Sequence, residues 1–254
     1  MRVAAIALNT FREAVRDRIL YSILAFALLL IGASVILAGL SIGQESRIVK
    51  DLGLASTSLF GTFIAIFLGI GLVFKEIDRR TIYAIIAKPI HRYQFILGKY
   101  VGLVLTLAVT VGVMALLVFL LAWLVDGRPA PGLLAAAGLD FVALMIVTAV
   151  ALLFSTFSTP TLSAMLTLAT YVIGRLSGDL VLFAEQVPSP GVRAVIRGIY
   201  LILPDLGRFQ IGSRVLHDLP LLPANMLATS AYGLSYILLL LLLAVSVFQR
   251  RDFK

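Results

Sequence analysis

Residues 75–99 read KEIDRRTIYAIIAKPIHRYQFILGK, six Lys or Arg against two acids, between apolar runs long enough to cross a bilayer. A basic segment between two spans is held at one membrane face, and the positive-inside rule makes that face cytoplasmic. Glu76–Ala87 can form a helix in which Ile77, Tyr83, Ile85 and Ile86 offer an apolar surface beside Arg79 and Arg80. Pro89 breaks it, and the chain turns back toward the membrane after Arg92. A merely solvated loop would also satisfy the charge rule. It would not need Tyr and Ile at this density. The spacing therefore predicts a surface gripped by a soluble partner, with Glu76, Arg79, Arg80, Thr81, Tyr83, Pro89 and Arg92 as its docking residues.

The composition fixes what surrounds this segment. The chain has 254 residues, 61% hydrophobic and 13% charged, with a mean hydropathy of +1.06. A soluble domain of this size cannot hide that much apolar surface, so the expected fold is an all-α membrane protein. A span needs about twenty apolar residues. Six stretches meet or approach that: 19–41, 52–74, 100–125, 133–157, 160–183 and 227–248. The fifth is interrupted by Arg175 and Asp179. With six spans, thirteen Lys or Arg fall on the side of 75–99 and seven on the other, so both termini are expected in the cytoplasm. The net charge of +8 is then a topology signal and not a nucleic-acid one. The first apolar run is longer than a signal-peptide core, so a retained span is expected.

Two flanking pieces add detail to a single membrane domain over 1–254. In residues 1–18, Val3, Ile6, Ala7, Phe11, Ala14 and Val15 recur at helical spacing opposite Arg2, Arg12, Glu13 and Arg16. That pattern predicts an interfacial helix with its apolar face in the acyl boundary. A plain extension of the first span is the alternative. The outer connection, 184–226, holds Pro188, Pro190, Pro204, Pro220 and Pro223 with apolar pieces too short to span. Short or re-entrant helices capping the outer face are expected there.

No catalytic constellation is visible. There is no Cys, and His91 and His217 are expected on opposite faces, so neither a disulfide framework nor a shared metal site is expected. Around Gly98-Lys99 a phosphate-binding loop would need a glycine where Tyr93 stands and a Ser or Thr where Tyr100 stands. If ATP drives this protein, another chain must bind it. Ionisable groups at membrane depth are expensive, and Asp140 and Arg175 both fall roughly 10–12 Å inside an outer span end. Antiparallel neighbours would level them, so an intramembrane Asp140–Arg175 pair is expected; Arg175 reaching Asp179, or snorkelling outward, are the alternatives. Small residues recur as Gly98, Gly102, Thr106 and Thr110, and as Ser58, Thr62, Ala65 and Gly69, the spacing of close helix contact in lipid.

The motifs Glu76–Thr81 (E-x-x-x-x-T), Ala87–Arg92 (A-K-P-I-x-R) and Leu97–Lys99 (L-G-K) resemble the cytoplasmic signature of ABC-2 type transporter permeases. Tyr200–Phe209 (YLILPDLGRF) and Phe248–Lys254 (FQRRDFK) resemble the group named for multi-copper enzyme maturation, which includes the nitrous oxide reductase assembly permease. The resemblance covers essentially the whole chain. It implies a bacterial or archaeal inner-membrane subunit paired with a second copy and with two cytoplasmic ATPase subunits that carry ATP and Mg. It makes 1–18 the elbow helix, the region around 76–87 the coupling helix, and the 155–160 turn a second cytoplasmic contact. The function so implied is export of an amphipathic cargo, or relay of ATPase motion to an extracytoplasmic partner at residues 188–222. An ATPase-independent secondary transporter, or a membrane scaffold for assembly of such a partner, is the alternative.

Overall fold

Apolar runs without internal proline become helices here, and proline marks where they begin. Pro131, Pro160, Pro190 and Pro223 are each the first residue of a helix, where a missing N–H costs nothing. The computed structural model describes residues 2–41, 43–78, 91–186, 189–216 and 222–250. The helices are α1 (Arg2–Val15), α2 (Arg18–Ala38), α3 (Glu45–Asp78), α4 (Arg92–Asp126), α5 (Pro131–Ser155) and α6 (Pro160–Arg175). They continue as α7 (Ser177–Gln186), α8 (Pro190–Ile202), α9 (Gly212–Leu216) and α10 (Pro223–Arg250). A 3-10 turn at Gly207–Phe209 precedes α9, and no strand occurs among the described residues.

Among the described residues, five helices, α2, α3, α4, α5 and α10, are long and apolar enough to cross a membrane. α3 and α4 have 34 and 35 residues, roughly 50 Å each, well beyond a hydrocarbon core of about 30 Å. Residues 75–78 and 92–99, read from sequence as parts of a connecting segment, are thus ends of these two helices. At their far ends Lys50 Nζ and Asp126 Oδ2 meet at 2.6 Å, and Gly127 closes α4 in the left-handed conformation with its N–H on the Trp123 carbonyl. α5 is the centre. It packs against α3, α4, α6 and α10, with Ile146, Thr148, Ala149, Ala151 and Leu152 fully buried. The apolar faces turned outward, such as Phe26, Leu29 and Ile36 on α2 and Leu238 and Leu242 on α10, suit lipid.

The fifth expected span differs from expectation. Residues 160–183 do not form one helix: α6 stops at Arg175 after 16 residues and α7 starts at Ser177. Gly174 and Gly178 weaken the helix on either side of the break, and the loop around Leu206 competes for the broken end. α6 alone, roughly 24 Å, is short of a full crossing.

α1 is a helix of its own, and its buried residues, Ala7, Thr10 and Ala14, sit on protein. The small face of α4 receives them: a Cβ on Gly98 would meet Ile6 Cβ at 2.6 Å, and one on Gly102 would meet the Ala7 carbonyl oxygen at 2.6 Å. Only glycine allows that approach. A single stripe of small residues thus spends its first half on α1, and its second half, Thr106 and Thr110, bonds to carbonyls of α4 itself. Gly102→Leu should therefore destabilise the chain by about 1–3 kcal/mol in detergent unfolding. Gly112→Leu, where nothing lies within 4 Å, should be near neutral; equal effects would contradict the seating of α1.

Candidate functional site

Three helices and the outer loop converge on Arg175. It is the last residue of α6, where a cation is favoured by the helix dipole. Its Nη2 donates to Ser58 Oγ of α3 at 2.5 Å, and its Nη1 lies 3.4 Å from Asp140 Oδ1 of α5. Ser58 in turn donates to Asp140 Oδ1 at 3.0 Å. With its amide oxygen turned toward the guanidinium, Gln210 accepts from Nη1 at 3.1 Å, from Nη2 at 2.9 Å and from Nε. The Tyr171 ring lies 5.7 Å from the guanidinium carbon. Asp140 Oδ2 is buried without a hydrogen-bond partner among the described residues. It borders a cleft of about 280 Å³ whose polar wall also includes Asp51, Thr57 and Ser213.

The outer loop reaches this cluster because Asp205 folds it. The Asp205 carboxylate accepts from Ser177 Oγ at 2.5 Å and from Arg208 Nε at 2.7 Å, while its own N–H donates to Tyr232 Oη at 3.0 Å. The next N–H, of Leu206, donates to the Gly174 carbonyl at 2.9 Å, so the loop satisfies the backbone that the helix break exposes. Gly174 has no Cβ because the Pro204 carbonyl occupies that space. The hydrogen bond to Asp205 pushes the Arg208 guanidinium further above its already high ordinary pKa, so this cation is permanent.

At the opposite end of the bundle, the start of α4 packs against α1 on one side and meets the end of α10 on another. Lys99 is buried, with Nζ 3.6 Å from Glu13 Oε2 of α1. Arg92 Nη1 donates to the carbonyls of Phe248 at 3.1 Å and Gln249 at 2.8 Å, closing the last turn of α10. Phe95 stacks on Phe248, with ring centroids 5.7 Å apart.

Of the expected docking residues, Arg79, Arg80, Thr81, Tyr83 and Pro89 lie outside the described residues, as does His217, and Glu76 is described only as helical. Arg92 is described, and its guanidinium faces α10. Asp140 and Arg175 lie together, and Asp179 is exposed away from them. Sequence reasoning missed Gln210 and Ser58 as partners of the pair. Ser58 stood in the small-residue stripe, but nothing local marks Gln210, which arrives from 35 residues down the chain. Lys99 and Glu13 were also missed as a pair, although one faces the other across two glycines. Among the described residues, no group of three or more His, Cys, Asp or Glu could hold a metal ion.

The family model for ABC-2 family transporter proteins matches residues 4–253. A comparison with curated proteins found no match.

Removing one member of a buried pair strands the other, so Asp140→Ala and Arg175→Ala should each destabilise more than the double change. A double-mutant cycle in mixed-micelle unfolding should show a coupling of about 0.5–3 kcal/mol. Simple additivity would mean that the contact carries no energy.

Proposed function

Because the chain belongs to the ABC-2 transporter family, we propose that it works as a dimer of permease subunits driven by two cytoplasmic ATPase chains. A membrane permease component of an ABC transporter is what the family match over residues 4–253 supports, and that match carries the reading. In this proposal ATP and Mg belong on the partner chains. The basic segment 75–99 is the coupling region, with Glu76, Arg79, Arg80, Thr81, Tyr83 and Pro89 on the docking surface. Arg92 acts there through the α10 end it holds. We place both termini in the cytoplasm of a bacterial or archaeal inner membrane, with α6 and α7 together completing a sixth crossing. Membership of the group named for multi-copper enzyme maturation, carried by the Tyr200–Phe209 and Phe248–Lys254 motifs, is proposed on the same footing.

The mechanics follow from lengths and contacts. α3 and α4, at 34 and 35 residues, are each longer than a hydrocarbon core is thick, so a push at 75–99 acts on two long rods. α1 and α10 are fastened to the same end of α4 by Gly98, Gly102, Lys99 and Arg92. α3 carries Ser58 into the Arg175 cluster, so displacement of α3 loads the outer cleft. A cargo is worked on only if it binds one of the two resulting states better than the other. The apolar runs carry few ionisable residues beyond Asp140 and Arg175, which favours an amphipathic cargo over an aqueous ion path through the bundle. A second reading, relay of motion to an extracytoplasmic partner, is favoured by the fixed shape of the Asp205 loop.

Gentle-detergent purification from the native host with mass spectrometry tests the assignment. A stoichiometric ABC ATPase is expected, and Glu76→Ala or Thr81→Ala should reduce its recovery without loss of membrane insertion. A clean chain from a complex shown to survive the detergent would instead favour an ATPase-independent transporter. Surface changes at Pro204–Phe209 that block function with ATPase coupling intact would favour the relay over cargo transport.

A further inference from the structure

A second cleft, of about 380 Å³, meets the Arg175 cleft at Gln210 and Ile211. Its polar wall is Arg208, Arg214, Asn225 and Thr229, and no carboxylate lines it among the described residues. Arg208 is held in place by Asp205 and by the Tyr232 ring, 5.3 Å from its guanidinium carbon. Arg214 is exposed and has no ion pair among the described residues. Two guanidinia lining one cleft together with an amide and a hydroxyl match the oxygens of a phosphate group. The remaining wall is apolar, formed by Leu139, Ile211, Leu222 and Met226. Beside it Leu222 and Leu227 are 56% and 72% exposed, so the apolar surface continues from the cleft onto the flank of α10.

We infer that this cleft binds the phosphate of an anionic amphiphile, with Arg208 and Arg214 on the phosphate oxygens and the first carbons of the tail along Leu222 and Met226. The charge alone would take any phosphate, free or esterified. The apolar wall selects the amphiphile, because a free ion leaves it uncovered. Binding requires only the fold described here. Its place on a transport path rests on the permease assignment, and binding to the chain without an ATPase tests the first apart from the second.

The probe is dihexanoyl phosphatidylglycerol titrated calorimetrically into the detergent-solubilised full chain. Saturable binding is expected, weakened about tenfold or more in Arg214→Gln, the loss of one charge-assisted contact. Arg128→Gln, an exposed arginine outside the cleft, should leave the affinity unchanged. Asn225→Leu should weaken binding without altering charge. Inorganic phosphate with the same affinity as the lipid would overturn the amphiphile. Absence of binding, or affinity unchanged in both Arg214→Gln and Asn225→Leu, would overturn the site.

Discussion

A guanidinium at the broken end of a helix cannot be left bare in an apolar bundle, and the outer half of this protein is arranged around that constraint. Arg175 draws a hydroxyl from α3, a carboxylate from α5 and an amide from the outer loop onto one point. Each of those groups is placed by a different tertiary element, so the cluster forms only when the bundle and the loop are both in position. The same break leaves backbone groups exposed, and Leu206 returns to satisfy one of them. Charge and backbone polarity therefore demand the same loop. This explains why the connection folds onto the bundle at residues 204–216.

The opposite end is organised by contact distance. Gly98 and Gly102 let α1 lie directly on α4, and the buried Lys99 meets Glu13 within that contact. Arg92 ties in the end of α10 about two turns before Lys99. Three helices, α1, α4 and α10, thus meet around the start of α4, immediately beside the basic connection. Force applied there, in the permease reading, reaches all three together. In the permease reading, the polar cleft at the outer end and the junction at the other are the two ends of a single rigid body, joined through α3 and α4.

Much of this was legible in the sequence, and the reasons differ by element. The long spans were readable because hydropathy alone decides them, and the starts read at 133 and 227 lie within a few residues of Pro131 and Pro223, where the helices begin. Asp140 and Arg175 could be set level because both sit at countable depths in neighbouring apolar runs. The break at Leu176 was harder: Gly174, Ser177 and Gly178 are each tolerable in a membrane helix, and only the competing outer loop decides against continuity. α1 was legible as amphipathic but not as to what its buried face meets, since periodicity reports a face and not its occupant. Gln210 was invisible for the same reason, because its role depends on the path of a loop set by Asp205.

The sixth crossing is the point on which sidedness turns, and the absence of cysteine makes it directly measurable. Single cysteines would be placed at the exposed positions Asn9, Ser213 and Gln249 and challenged with a membrane-impermeant maleimide on intact cells and on inverted vesicles. The account predicts that Ser213→Cys is modified only from outside, and that Asn9→Cys and Gln249→Cys are modified only from the cytoplasmic side. Labelling of Asn9→Cys and Gln249→Cys from opposite sides would show that α6 and α7 do not complete a crossing, and would contradict the proposed arrangement of cleft and coupling segment.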